Sequence, residues 1–345
     1  MPPRSFPYPP LSPRAVQRSL LERLRSDWET RRVSRRRARA SENVPLLLAT
    51  GAEPRPLSAA DLPLVTFTHN DAKFLRSFLA HYRRLGISRF IIVDDRSDDG
   101  TVEFLTQQAD VDLWRSPLRY KEARRGKLWR EALMARYGVN RWYVSIDSDE
   151  YLVYDGCFDH PLPALIRQLE AKGQKRLFAP MLDLYPRGSV GGFAFAGTDE
   201  TMPWQVADGY DGDGYALAPN HRFLSLKGGP RHRLFNTEAE LAKYPLLYWD
   251  ADCSFGISVH QPLPFARNFV VPQGMLLHFK FFSDYRDKTR AAVAQQQHFG
   301  NAEVYRRILG HVEEGGDLNF LYPGTRQFTG PQDLVAQGFM HSLWA

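Results

Sequence analysis

Between residues 62 and 147, four apolar runs of strand length alternate with three segments of helical periodicity. The runs are "LPLVTFTH" (62–69), "SRFIIVDD" (88–95), "VDLWRS" (111–116) and "RWYVSID" (141–147). They are rich in β-branched and aromatic residues, as strands are. Residues 71–86 place Phe74, Phe78 and Tyr82 four apart, joined by Leu75, Leu79 and Leu85, with Gly86 suited to end a helix. Residues 99–108 and 126–138 read as two further helices, the second with Leu128, Ala132 and Ala135 on one face. A strand–helix series of this kind returns each strand in the same direction. It predicts an α/β fold: a Rossmann-like, mostly parallel sheet with crossover helices.

In such sheets ligands gather beyond the carboxyl ends of the strands. Three of those ends are polar: "THND", "VDDRSDDG" and "SIDSDEY". The last holds Asp147, Asp149 and Glu150 within four positions. Carboxylates this close repel and need water, a cation or a substrate between them. At the end of a strand, alternation points Asp147 and Asp149 to one side and turns Ser148 away. Two carboxylates side by side suit a hard divalent cation such as Mg²⁺ or Mn²⁺, with phosphate oxygens and water completing the shell. An isolated Asp-x-Asp is more often a solvated turn; its place at the end of a parallel strand reverses that preference.

Past residue 156 the rhythm loosens. Residues 162–173 read as a helix, 176–185, 244–249 and 274–282 as strands, 186–235 as a glycine-rich loop region, and the stretch after 283 as mostly helical. Before the series, residues 1–13 are proline-rich and extended, residues 14–40 form a basic helix, and residues 50–63 form a linker. Four segments follow: a 1–50 arm, a nucleotide-binding half over 61–155, an acceptor-binding half over 156–282, and a helical extension over 283–345.

The formal charge of +6 is local. Residues 1–45 hold eleven Arg, no Lys and four acids, so the arm is +7 and the remainder −1. A neutral body disfavours nucleic-acid binding. In the arm, Val16, Leu20, Leu24 and Trp28 recur four apart with arginines on the other faces. Two readings stand: a helix on an anionic membrane surface, or an arm packed on the protein's own body or a second subunit. The hydrophobic fraction of 43% suits a globular chain, and two cysteines suggest no disulfide framework. No apolar run reaches membrane-spanning length, and the first residues carry no secretory apolar core. The expected setting is cytoplasmic, with the arm at the inner face of the membrane as the peripheral variant.

The blocks "VTFTHNDAKFLRSFLAHYRRLGISRFIIVDDRSDDGTVEFL", "GKLWREAL" and "WYVSIDSDEYLVY" resemble a glycosyltransferase of the GT-A type. The resemblance is to the family 2-like bacterial group and the related galactan-galactosyltransferase-like family, and runs from about residue 62 to 285. The later blocks "MLDLYP", "GGPRHRLF", "YPLLYW", "SVH" and "LLHFKFF" also look like that group. The resemblance implies a nucleotide-diphosphate sugar donor, UDP-linked being favoured, a glycan acceptor and Mn²⁺ or Mg²⁺. It implies that Thr68, His69, Asn70, Asp94 and Asp95 border the base and ribose. Asp71 stands where a Glu is common. Asp98 and Asp99 are expected to cap the next helix. Arg125 or Lys127, at a helix start, is expected to reach the nucleotide. Arg231 and Arg233 are expected to clamp the diphosphate.

Asp149 is the expected metal ligand, with Asp147 on metal or ribose. His278 is expected to complete the site, and His260 to lie nearer the acceptor. Glu150 is left with two readings, acceptor orientation or a structural acid at a turn. An inverting reaction needs a carboxylate base from the second half: Asp211 is preferred over Asp183, Asp208 and Asp213. Other classes are a non-catalytic sugar-nucleotide or carbohydrate-binding protein and a nucleotidyltransferase. The latter usually has a glycine-rich loop after its first strand, and "FTHNDAKF" has no glycine.

Overall fold

A computed structural model describes residues 4–38, 44–51, 53–297 and 299–344. The four predicted strands are present as Pro63–Thr68, Arg89–Asp94, Val111–Arg115 and Arg141–Ser145, and all run parallel. Across the sheet they follow the order Val111–Arg115, Arg89–Asp94, Pro63–Thr68, Arg141–Ser145. Antiparallel strands extend both edges: Leu47–Leu48 on one side, Leu246–Trp249 and then Arg176–Leu177 on the other. The fold is therefore α/β with a mostly parallel central sheet.

The crossover helix Ala72–Arg84 buries Phe74, Leu75, Phe78, Leu79 and Tyr82 as its periodicity predicts. Helix Lys127–Tyr137 departs from expectation. It buries Leu128 as expected, together with Trp129, Arg130, Leu133, Met134 and Tyr137, but leaves Ala132 half-buried and Ala135 exposed. The large side chains, not the alanines, choose the inward face, because burial scales with apolar area.

A second, five-stranded sheet has the order Thr325–Gln327, Gly209–Asp211, Met181–Tyr185, Met275–Phe279, Glu150–Val153. The single strand expected over 176–185 is thus two strands in two sheets. Pro180, which lacks an N–H to donate, stands at the break. Both sheets draw strands from either side of residue 155. The expected loop region also holds a hairpin, Tyr215–Pro219 with Leu224–Lys227, and Phe6–Tyr8 of the arm pairs along it. Helix Leu20–Ala38 follows on the protein's own surface, so within this chain the arm packs on the body. Residues 39–43 of the arm lie outside the described residues. Both cysteines are free.

The sheet buries one ion pair far from the polar strand ends. Arg89 Nη1 donates to Asp112 Oδ2 at 3.0 Å, Tyr137 OH to the same oxygen at 2.7 Å, and Trp114 Nε1 to Tyr137 OH at 3.2 Å. Removing one partner of such a pair strands the other. Asp112→Ala is expected to lower stability by about 3–5 kcal/mol, read as a lower urea midpoint at unchanged slope; a loss below about 1 kcal/mol, the range of exposed pairs, would contradict this.

Candidate active site

The polar strand ends open on a cavity of about 520 Å³. The central sheet supplies His69, Asn70 and Asp95; the turn between the sheets supplies Asp147, Ser148 and Asp149; the second sheet supplies His278 and Lys280. The helices Tyr285–Gln295 and Phe299–Gly315 add Lys288 and Tyr305, so the helical extension forms part of the wall.

The strand carrying the acids ends at Ser145, and a new one begins at Glu150. Residues 147–149 therefore form a turn, and strand alternation does not govern them. Asp147 and Asp149 face different partners. Asp147 accepts from Arg130 Nη2 at 2.5 Å on one oxygen and from Lys243 Nζ at 2.6 Å on the other. Burial works to raise this carboxyl, but Lys243 and Arg130 overcome it and hold the group far below the usual carboxylate range. Glu150 also accepts from Lys243, and its second oxygen accepts the Asp147 backbone N–H at 3.1 Å. Burial and the neighbouring Asp147 push Glu150 up to about 7 despite Lys243. Glu150 is thus a structural acid closing the turn. Ser148 does not turn away: its hydroxyl donates to Asp71 Oδ2 at 2.6 Å.

Asp149 faces the second sheet. Its Oδ2 lies 3.2 Å from His278 Nε2, and His278 Nδ1 lies 2.5 Å from Asp183 Oδ1. Arg231 Nε donates to the other Asp183 oxygen at 2.7 Å. Register produces this chain: Glu150, His278 and Asp183 are direct cross-strand partners on three neighbouring strands. Burial opposes ionisation of Asp149, yet His278 and Lys280 bring it down to about 2. Burial likewise opposes a charged His278, and the two flanking carboxylates raise it above its ordinary value.

The first strand end is held by local chemistry. His69 Nδ1 sits 2.8 Å from the Asp95 carbonyl oxygen. Asn70 adopts φ 56 and exchanges two hydrogen bonds with Asp98. Asp99 accepts from the first N–H of two helices, Ala72 at 2.9 Å and Thr101 at 3.1 Å. Asp95 pairs with Arg119 at 2.9 Å, and burial raises its carboxyl, Arg119 offsetting part of the effect. Thr68 and Asp94 are buried behind this end and do not line the cavity.

Several expected contacts are engaged elsewhere. Lys127 is buried and donates to the Gly256 carbonyl at 2.8 Å, which removes it from a nucleotide. Arg125 is exposed at φ 59, outside the cavity lining. Arg231 serves Asp183, and Arg233 makes two bonds to Asp211. Asp211, preferred as base, is buried, accepts also from Tyr185 OH at 2.7 Å and lies off the cavity. Both oxygens are engaged by Tyr185 and Arg233 away from the cleft, and burial raises the carboxyl although these partners offset part of the effect. His260, half-buried, is lowered to about 4 by loss of solvent and by Lys243, and does not line the cavity.

Sequence reasoning missed Lys243, whose partner Glu150 is 93 positions away. It also missed Lys73, which bonds Asp284 at 2.6 Å and is lowered to about 8 by burial and by Lys288. Lys280 carries a weak local signal, one residue past the end of the strand that bears His278.

No protein-family profile matches the chain. A stretch of 133 residues is 29% identical to a glycosyltransferase family 92 protein of Oryza sativa subsp. japonica, covering 35% of this chain and 22% of that protein. The likeness is to a glycosyltransferase, as the sequence resemblance implied; the matched protein carries the name of family 92. Among solved structures, HddC from Yersinia pseudotuberculosis aligns at 11% identity over 55% of this chain and 74% of its own, with a TM-score of 0.27. An inositol-1-phosphate CTP transferase from T. maritima aligns at 10% identity over 83% and 98%, with a TM-score of 0.25. Overlays this loose carry no functional weight.

Lys243 neutralises the buried Glu150 and the partly buried Asp147 at once. Lys243→Met is expected to cost about 3–5 kcal/mol of stability, measured by urea unfolding, with Glu150→Gln in the same chain recovering part of it. No recovery would show that Lys243 does not act through Glu150.

Proposed function

We propose that the protein transfers a glycosyl group from a nucleotide-diphosphate sugar, UDP-linked being favoured, to a hydroxyl on a glycan acceptor. One observation carries the reading: Asp149 and His278 present an oxygen and a nitrogen 3.2 Å apart at a cleft formed by the ends of parallel strands. The partial likeness to a glycosyltransferase supports it.

The donor set suits a divalent cation with two protein ligands. Asp183 beside His278 Nδ1 leaves Nε2 facing Asp149, the carboxylate–histidine arrangement common at metal sites; as a ligand His278 would give up the proton that its two carboxylates favour. Among the described residues no group of three or more His, Cys, Asp or Glu side chains converges on one metal position, so diphosphate and water would complete the shell. Mn²⁺ or Mg²⁺ held there would supply Lewis-acid neutralisation of the leaving diphosphate. Asp147 has both oxygens committed to Arg130 and Lys243, so it positions the turn that presents Asp149.

The other walls sort by charge. Lys280 and Lys288 line the cavity and favour an anionic ligand; Lys288 also lies 3.6 Å from Asp71. His69 and Asp95, with Phe67 and Tyr120 beside them, offer polar and aromatic contacts for a base and ribose. Phe67 and Tyr120 are 4.8 Å apart at their ring centroids.

The test is a titration of UDP-, GDP- and CMP-linked donors with and without Mn²⁺. Wild type is expected to bind one donor more tightly with the metal, and Asp149→Ala to lose that gain. Asp183→Asn is expected to weaken it by about 10–100-fold. Equal binding under every condition would overturn the proposal. Asp211→Asn is expected to be less stable yet to keep the metal-linked gain and transfer per folded molecule, followed by product formation; abolished transfer in a folded variant would restore Asp211 as the base.

A further inference from the structure

Helix Leu20–Ala38 is mounted the wrong way round for a surface helix. Such helices normally turn their apolar stripe inward. Here the inward residues are polar. Ser26 Oγ donates to the His221 carbonyl at 2.7 Å, Arg222 Nη2 to Glu29 Oε2 at 3.1 Å, and the Phe265 N–H to Thr30 Oγ1 at 3.0 Å. The outward residues are Leu20, Leu21, Leu24 and Trp28, exposed by 72%, 77%, 55% and 57%. At 3.6 residues per turn these four fall within an arc of about 100°. They make up four of the nine exposed large hydrophobic residues among those described. Contiguous exposed apolar side chains mark a surface that another phase or partner covers.

The charge around the patch says which. Arg31 and Arg35 continue the same arc on the next two turns and are exposed, and Arg23, Arg25 and Arg36 are exposed around the helix. The Arg32 guanidinium lies 5.1 Å from the Trp28 ring centroid. The arm carries +7 against −1 for the rest. A second copy meeting this patch about a twofold axis would bring arginines against arginines. An anionic bilayer takes the leucines and tryptophan at the acyl boundary and the arginines at the headgroups. Among the described residues no helix is long and apolar enough to cross a membrane, so the contact is with the surface.

We infer that Leu20, Leu21, Leu24 and Trp28, flanked by Arg31 and Arg35, dock the protein on an anionic lipid surface. The polar inward face keys the helix to the body through Glu29 and Ser26, so the chain is held against the bilayer by a rigid mount. The inference does not depend on the transfer reaction.

The experiment is flotation of the full chain with vesicles of phosphatidylcholine alone and of phosphatidylcholine mixed with phosphatidylglycerol, at low and high salt. Wild type is expected to float with the mixed vesicles, less so in high salt, and not with the neutral ones. Two variants are compared: Leu20→Ser, Leu21→Ser, Leu24→Ser and Trp28→Ser combined, and Arg31→Glu with Arg35→Glu. Each is expected to lose partition roughly tenfold or more with an unchanged unfolding midpoint, because these side chains bury little. No flotation of wild type, equal flotation on both vesicle types, or flotation retained by the serine variant would overturn the inference. So would a wild-type dimer in sedimentation equilibrium, without vesicles, that the serine variant dissolves.

Discussion

One ammonium group holds the centre of this protein together. Lys243 Nζ bridges Asp147 and Glu150, and Arg130 closes on Asp147 from the other side. Without those cations the buried Glu150 and the partly buried Asp147 would stand adjacent in a tight turn, and burial of unpaired charge costs several kcal/mol per ion. The pairing also answers the crowding of acids. Water, metal and substrate are not needed to make Asp147 and Glu150 tolerable, because the chain brings its own counterions. That frees Asp149, the third acid, to face the cleft.

A second polar chain complements the first. Asp149, His278, Asp183 and Arg231 link end to end across the second sheet, with His278 and Asp183 set opposite each other by direct cross-strand register. Register is enforced by the buried apolar neighbours, since a slip of one residue would turn every side chain to the opposite face. Packing of Leu152, Leu182, Leu276 and Leu277 thus fixes the place of the polar atoms.

The parallel series was legible because periodicities of two and 3.6 alternate cleanly from residue 62 to 147, and local context singled out Asp149 and His278, which the structure sets 3.2 Å apart. What stayed hidden depends on long-range pairing. Nothing near "AKYPLLYW" marks Lys243 as the counterion of residues far back in the chain. Asp211 looks like a mobile loop acid in "VADGYDGDGY", yet it belongs to a strand and is bound by Arg233 and Tyr185. The same-side argument for Asp147 and Asp149 failed because the strand ends two residues before the first of them. The arm was read as a helix with an apolar stripe; that the stripe faces outward follows only from the polar contacts of Ser26, Glu29 and Thr30.

The sharing of strands between the two sheets has a consequence for how the chain is made. Residues 147–150 leave the ribosome long before Lys243, so the acid cluster emerges without its counterion and must stay hydrated. The central sheet gains Leu246–Trp249 only later still, and the second sheet gains Met275–Phe279 and Thr325–Gln327 last. Pairings at such sequence separation form slowly. Burial of the acids therefore waits on the segment around Lys243, and closure of the second sheet on strands made later still.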